Sequence, residues 1–97
     1  MTKTYFVYIL ASSRNGTLYL GVTNNIGRRC WQHCEGLTPG FTSKYGVKKL
    51  VHVEIFEDIR IAIQREKRLK KWNRRWKLEL IEKTNPRWLD LYEMLNS

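Results

Sequence analysis

The sequence predicts an α+β fold in which helices pack against one small sheet, mixed or antiparallel, in the order β-β-α-β-α-α. Two apolar segments flank Asn15-Gly16, a dipeptide that favours a tight β-hairpin turn. A third apolar segment lies farther along the chain, and the residues after it are apolar with a helical period. At 97 residues and 42% apolar content, we expect a single domain spanning residues 1–97 with one compact core.

Local signals predict where each element begins and ends. The predicted strands are Thr4–Ala11, Thr17–Val22 and Leu50–Phe56, with a turn at Ser13–Gly16 and a loop at Gly36–Gly46. Asn24 or Asn25 caps a helix that runs to about Glu35, and Asp58 caps a long basic helix. The basic helix bends or breaks near Trp72-Asn73, continues over Lys77–Lys83 and ends at Asn85-Pro86; a short final helix covers Arg87–Leu95.

The length of the hairpin loop decides which strand residues face each other. A two-residue loop pairs Tyr8 with Thr23, whereas a four-residue loop pairs Tyr8 with Gly21. Because side chains alternate along a strand, both registers place Tyr8, Tyr19 and Gly21 on one face of the sheet. A three-residue loop would place the two tyrosines on opposite faces. The simpler interpretation is that both are ordinary strand aromatics, since tyrosine favours strands.

Charge is concentrated in one segment of the chain. The net charge is +9, and nine of the eighteen lysines and arginines lie in residues 60–77. Such a cluster favours a polyanionic partner, most often nucleic acid and less often an anionic membrane; the alternative is a solvated helix face. The candidate DNA-binding residues are Arg65, Lys67, Arg68, Lys70, Lys71, Arg74 and Arg75. The chain lacks a run of ~20 apolar residues and a signal-peptide pattern at its start, so we expect a cytoplasmic protein.

Glu66 is the only acidic residue in the basic segment, and its position is unusual. It falls on a stripe with a 3.6-residue period that should face the core. The apolar members of that stripe are Ile59, Ala62, Ile63, Leu69, Trp72, Trp76 and Leu80. A carboxylate facing a core costs several kcal/mol (order of magnitude) unless a cation compensates it. The sequence therefore predicts either a nearby arginine or a bound metal ion at Glu66.

Arg29 and His33 are four residues apart on the first predicted helix and are neighbours on one of its faces. The helix follows directly after the strand that carries Tyr19, so both side chains can approach the same end of the sheet. Read alone, Arg29 and His33 are equally consistent with surface residues. Together with Tyr8, Tyr19 and Glu66 they supply what phosphodiester hydrolysis requires: a carboxylate for a divalent cation, an arginine for developing charge and a base.

Several motifs occur in a characteristic order along the chain. They are Phe6-Val7-Tyr8, Tyr19-Leu20-Gly21, Asn25 to Arg29 with His33, Ala62 to Lys67 around Glu66, Trp72-Asn73-Arg74, and Asn85-Pro86-Arg87-Trp88. In these motifs the chain resembles the GIY-YIG nuclease superfamily, especially its small stand-alone UPF0213 (YhbQ-like) branch. Two positions depart from the family pattern, because Phe6 replaces the leading glycine of the first motif and Leu20 replaces the middle isoleucine of the second.

The resemblance implies a three-stranded antiparallel sheet flanked by helices and one Mg²⁺ or Mn²⁺ ion held by Glu66. It also implies that Tyr8 acts as a base or contacts phosphate, that Tyr19 orients it, and that Arg29 stabilises the transition state. His33 would relay a proton or contact phosphate. A later asparagine of the family corresponds to either Asn73 or Asn85.

The leading hypothesis is a metal-dependent DNA endonuclease or nuclease-like factor of DNA repair or recombination, acting on DNA that includes branched or single-stranded forms. Trp31, Trp72 or Trp76 could stack on exposed bases, although core packing is favoured for Trp72 and Trp76. The alternative is a non-catalytic nucleic-acid-binding module on the same scaffold. A third hypothesis is a protein-interaction domain within a larger repair complex.

Overall fold

The computed structural model describes residues 3–35 and 45–95. The elements, in chain order, are β1 (Tyr5–Ala11), β2 (Leu18–Thr23), α1 (Ile26–Cys34), β3 (Lys49–Phe56), α2 (Ile59–Lys71), α3 (Arg74–Thr84) and α4 (Tyr92–Leu95). Both neighbours of β1 run antiparallel to it, in the order β2-β1-β3. The predicted α+β class with a three-stranded antiparallel sheet is confirmed. Most of the predicted loop Gly36–Gly46 lies outside the described residues.

The hairpin between β1 and β2 has the four-residue loop. The backbone N–H of Ser12 donates to the carbonyl of Thr17, which leaves residues 13–16 as the turn. Tyr8 therefore lies opposite Gly21, and Leu10 lies opposite Tyr19. This register places both tyrosines on one face of the sheet, as two of the three possible loop lengths predicted.

The middle strand β1 divides the core into two clusters, one on each face of the sheet. One face packs against α2 and α3, and its fully buried members include Val7, Ile9, Val51, Ala62, Leu69, Ile81 and Trp88. The other face packs against α1, and its buried members are Tyr8, Leu10, Ile26, Cys30, Val47 and Leu50. Tyr8 thus lies in the core at only 2% exposure. The position of the Tyr8 side chain is therefore fixed by packing in the core.

Capping asparagines and an aspartate set the ends of the helices. Asn25, rather than Asn24, caps α1 through its side-chain oxygen, which accepts from the N–H of Arg28. Asp58 caps α2 in the predicted way. The bend or break expected near Trp72-Asn73 is a full break, because Asn73 caps a new helix by accepting from the N–H of Trp76.

The break changes which side chains of the predicted stripe are buried. Ala62 and Leu69 are fully buried, but Ile59 and Ile63 are more than a third exposed. Trp76 lies on the separate axis of α3 and is 52% exposed. Trp72 packs against the core cluster as favoured. The predicted stripe is therefore wrong for Trp76, since one continuous helical period was drawn across two helices. It is also wrong for Ile59 and Ile63, which lie on α2 itself, outside the narrower face that Ala62 and Leu69 bury.

The predicted final helix Arg87–Leu95 is shortened to α4 at Tyr92–Leu95. Trp88 has a left-handed backbone (φ 55°), and its fully buried side chain anchors the segment in the core. The side chain of Asn85 bonds to the N–H and the carbonyl of Leu89, and the N–H of Leu91 donates to the carbonyl of Leu50. The backbone is thus held on β3 and cannot begin a helix at Arg87. Within the described residues, each helix is too short or too polar to span a bilayer.

Candidate active site

Three aromatic side chains from β1, β2 and α1 form a triangle at one end of the sheet. The ring centroids of Tyr8 and Tyr19 are 6.4 Å apart. The ring of His33 lies 6.2 Å from that of Tyr8 and 5.6 Å from that of Tyr19. Asn25 caps α1 directly after β2, and this short connection brings the helix face that carries His33 onto the tyrosines. The expected meeting of these residues is therefore present in the structure.

Gly21 makes room for the phenol of Tyr8. A Cβ atom at this position would lie 2.5 Å from the Tyr8 hydroxyl oxygen and 2.6 Å from its Cζ atom. These separations are well inside van der Waals contact, and the phenol is buried. Glycine at position 21 thus allows the Tyr8 ring to lie across the neighbouring strand.

We expect Gly21→Ala to lower the free energy of unfolding by about 2 kcal/mol, because the added methyl overpacks the site against Tyr8. Urea unfolding measures the loss. Gly27→Ala is the matched control, because a Cβ there would contact only the Asn25 side-chain oxygen, at 3.9 Å; it should be neutral or stabilising. In a Tyr8→Ala background, Gly21→Ala should cost little. A loss of the same size without the phenol would contradict this account.

Burial governs the protonation of Tyr8 and His33. It raises the pKa of Tyr8 far above its usual value, with a further rise from Tyr19 and Glu66 and an opposing effect from Arg29. Burial also lowers the pKa of His33, and the positive charge of Arg29 adds to that effect. In the free protein near pH 7, Tyr8 is therefore a protonated hydrogen-bond donor and His33 is a neutral imidazole.

Arg29 is close enough to Tyr8 and His33 to influence the pKa of both. It also lines a polar cleft of about 410 Å³ at the start of α1. The other residues of this cleft are Thr23, Asn24, Asn25, Arg28 and Gln32. Two guanidinium groups and several uncharged polar groups make the cleft suited to a phosphate. Arg29 was selected from the sequence as a site residue, but Arg28 and Gln32 were not. Gln32 lies four residues after Arg28 and three after Arg29, and this helical spacing was the available signal.

Glu66 is compensated by a lysine, where an arginine or a metal ion was expected. Its side chain is 14% exposed, and one carboxylate oxygen lies 3.1 Å from the ammonium nitrogen of Lys70. The Lys70 side chain is 55% exposed. Glu66 also lies near enough to Tyr8 to affect the pKa of that phenol. The carboxylate is therefore largely shielded from water and pairs with a solvent-exposed cation.

The basic residues of the second half of the chain fall into different environments. Lys67, Arg68 and Lys71 are exposed along α2. Arg74 donates to the carbonyl oxygens of Asn15 and Gly16 in the hairpin turn. Arg75 pairs with Glu79 one turn farther along α3, at 3.2 Å. The exposed side chains of α2 remain the best candidates for contact with a polyanion.

Arg65 belongs to a separate cluster on the opposite face of the sheet from Tyr8. Its guanidinium donates twice to the carboxylate of Glu54, at 2.7 and 3.0 Å, and lies over the ring of Trp72. The Nε2 atom of His52 is 2.8 Å from the same carboxylate. Arg65 is therefore engaged inside the protein, which makes it a weaker candidate for contact with a polyanion than the exposed cations of α2.

Both candidate asparagines have structural partners. Asn85 is buried and donates to the carbonyls of Val51 and Leu89. Asn73 caps α3. These bonds explain why an asparagine suits each position.

Comparisons with known proteins agree with the fold and with the motifs. A family model described as the GIY-YIG catalytic domain matches residues 4–79. A UPF0213 protein of Syntrophus aciditrophicus is 42% identical over 94 residues, covering 89% of this chain and 97% of that protein. A UPF0213 protein of Clostridium perfringens is 42% identical over 76 residues, covering 78% and 81% of the two chains.

A solved structure is also similar to this one. The solution NMR structure of the UPF0213 protein BH0048 from Bacillus halodurans superposes with a TM-score of 0.56 at 28% identity, covering 90% of this chain and 92% of that chain. The family match spans β1 to α3, and the relatives are matched over most of their lengths. The chain therefore belongs to the GIY-YIG family, in its UPF0213 branch.

Proposed function

We propose that this protein is a metal-dependent endonuclease that hydrolyses phosphodiester bonds of DNA, in repair or recombination. The observation that supports this most is the triangle of aromatic rings formed by Tyr8, Tyr19 and His33, from β1, β2 and α1. The guanidinium of Arg29 and the carboxylate of Glu66 lie near enough to affect the pKa of Tyr8, and they complete the proposed set of functional groups. GIY-YIG domains are generally nucleases, which fits this set of groups.

Tyr8 has two successive roles in the proposed reaction. As a neutral phenol it donates a hydrogen bond to a phosphate oxygen of the bound strand. Its pKa is raised mainly by burial, and Arg29 is the cation that opposes this rise, so the proposed phenolate requires further positive charge beside the phenol in the substrate complex. In that state it can take a proton from the attacking water. Tyr19 packs against it and orients the ring.

Arg29 and His33 act on the phosphate from the α1 side. The planar guanidinium of Arg29 stabilises the charge that builds up on the phosphoryl oxygens in the transition state. His33 is neutral because burial and Arg29 lower its pKa, so it can accept a proton near pH 7. A neutral imidazole in this position suits a proton relay between the phenols and the substrate.

The available donors fit a metal ion that is held mainly by water and substrate. Among residues 3–35 and 45–95, no group of three or more His, Cys, Asp or Glu side chains could hold a metal ion. A single carboxylate such as Glu66 is nonetheless sufficient for Mg²⁺ or Mn²⁺, because these ions keep several waters and bind through one or two carboxylates plus phosphate oxygens. When bound, such an ion supplies Lewis-acid activation of the phosphoryl group.

The exposed cations of α2 provide the proposed binding surface for DNA. Lys67, Arg68 and Lys71 are exposed on the helix that also carries Glu66. Phosphate contacts by such residues release counterions, so the affinity for DNA should fall steeply with salt. The exposed indoles of Trp31 and Trp76 offer stacking surfaces for unpaired bases. Single-stranded and branched DNA are therefore the substrates to examine first.

A cleavage screen tests the proposal directly. Duplex, flap, four-way-junction and single-stranded DNA are incubated with the protein in Mg²⁺ or Mn²⁺, and in EDTA. We expect cuts on at least one branched or single-stranded substrate, with metal only. If the protein binds DNA in a salt-sensitive way but cleaves none of the substrates, the proposal of catalytic activity is wrong, and the protein is a non-catalytic nucleic-acid-binding module. Absence of salt-sensitive binding as well would favour a protein-interaction domain of a larger repair complex.

A further inference from the structure

The ion pair between Glu66 and Lys70 differs from an ordinary surface pair on a helix. The Arg75–Glu79 pair has the same four-residue spacing, but its side chains are 83% and 63% exposed. In the Glu66–Lys70 pair, only the lysine is exposed and the carboxylate is largely removed from water. A carboxylate with so little access to water depends on its cation more than an exposed one does.

Lys70 also lines a second feature, a groove of about 250 Å³ along β2. Tyr19 and Lys77 contribute to the same groove, together with Leu18 and Leu20. The groove lies along β2, an edge strand of the sheet, and Tyr19 is the member of the tyrosine cluster that lines it. Two lysines beside Tyr19 make it a suitable path for a phosphate backbone. The ammonium of Lys70 can thus serve either of two anions, the carboxylate of Glu66 or a phosphate in the groove.

We propose that Lys70 exchanges partners when nucleic acid binds. In the free protein its ammonium neutralises Glu66. On the nucleic acid it pairs with a phosphate in the groove, and the carboxylate becomes available to a divalent cation. This inference rests on the proposed function, because it assumes that Glu66 holds the metal ion.

The exchange is expected because the ammonium of Lys70 and a divalent cation compete for the same carboxylate oxygen. The ammonium lies 3.1 Å from the carboxylate oxygen, and a divalent cation would have to approach that oxygen to about 2.1 Å. Two cations on one carboxylate oxygen repel each other strongly in a site with little water. Lys70 therefore weakens metal binding in the free protein and ceases to do so in the complex. By thermodynamic linkage, metal and nucleic acid favour each other's binding.

The test measures Mn²⁺ binding to the free protein by electron paramagnetic resonance, with no substrate and hence no turnover. The variants are Lys70→Gln, the adjacent charge-matched control Lys71→Gln, and Glu66→Gln. We expect Lys70→Gln to bind Mn²⁺ about fivefold more tightly than Lys71→Gln does. Equal affinities of the two lysine variants would overturn the exchange and leave the metal role of Glu66 intact. Unchanged Mn²⁺ binding by Glu66→Gln would instead overturn that role and the exchange with it.

A second measurement tests whether Lys70 contacts a phosphate in the complex with nucleic acid. The affinity for a short single-stranded oligonucleotide is measured in EDTA at several salt concentrations by fluorescence anisotropy. If Lys70 contacts a phosphate in the complex, Lys70→Gln should reduce the slope of log affinity against log salt by about 0.7. An unchanged slope would mean that Lys70 stays on Glu66, and would overturn the exchange.

Discussion

Replacing Glu66 with alanine is expected to lower the rate of DNA cleavage on the order of 1,000-fold without weakening DNA binding. The carboxylate is the proposed protein ligand of the metal ion, and it does not contact DNA in the proposed complex. The fold should be retained, because the Lys70 side chain is 55% exposed and can be solvated once its partner is removed. Single-turnover cleavage in Mg²⁺ and anisotropy in EDTA measure the two effects.

Glu79→Ala is the matched control for this variant. Glu79 also pairs with a cation one helical turn away, but it lies on α3 and is largely exposed. Its removal should leave cleavage unchanged. If Glu66→Ala cleaves DNA at the wild-type rate, Glu66 has no role in the reaction. A parallel loss of cleavage and binding would show that the residue serves DNA affinity rather than chemistry.

Replacing Glu54 with glutamine is expected to cost about 3 kcal/mol of unfolding free energy at neutral pH. The Glu54 side chain is 19% exposed and bonds to both His52 and Arg65. It joins β3 to α2, which carries Glu66. Glutamine keeps the shape but leaves the Arg65 charge without its anionic partner. Urea unfolding at pH 7 measures the loss, and Glu57→Gln, at an exposed position just after β3, should be nearly neutral.

The same carboxylate should make stability depend on pH. Burial alone would raise the pKa of Glu54. Hydrogen bonds from His52 and Arg65, together with the positive charges of these groups, outweigh the effect of burial. They lower the pKa of Glu54 from its ordinary value of 4.5 to about 2. Between these values the unfolded chain binds more protons than the folded protein, so stability falls as the pH is lowered. The contribution is complete above about pH 4.5 and is lost as the pH falls through about 2.

Glu54→Gln should remove this part of the acid sensitivity. At pH 2 the variant and the wild type should differ much less in stability than at pH 7. A difference that stays the same at both values would mean that the hydrogen bonds, and not the ionised carboxylate, carry the effect. A double-mutant cycle with Arg65→Met isolates the coupling between Glu54 and Arg65.

The strands and most helix ends could be predicted because they depend on local signals. Asn-Gly at the hairpin and the caps Asn25 and Asp58 act within a few residues of their own position. The final helix was overextended because its start depends on remote partners. The side chain of Asn85 and the buried Trp88 hold that segment against β3, and no local pattern reveals such contacts.

The residues of the candidate site also differ in whether local signals or remote contacts determine their positions. Tyr8, Tyr19 and Gly21 follow from strand alternation once the loop length is known. The four-residue spacing of Glu66 and Lys70 on one helix is compatible with their ion pair, but the rotamer of Lys70, which decides whether the pair forms, is not visible in the sequence. Arg65 was predicted to contact phosphate because it lies in the basic segment. The structure instead pairs it with Glu54, which lies on β3 and is not near Arg65 in the sequence, so local patterns could not reveal this partner.

Tyr8 lies on β1, the strand with a neighbour on each side. Displacing its backbone would disturb both ladders and the apolar layers above and below, so the phenol is carried on the least deformable part of the molecule. In the proposed reaction, a substrate must therefore bring its scissile phosphodiester to a phenol whose position is fixed. We expect intact duplex DNA, which is stiff, to meet this requirement poorly, and DNA ends, gaps and forks to meet it at a lower deformation energy.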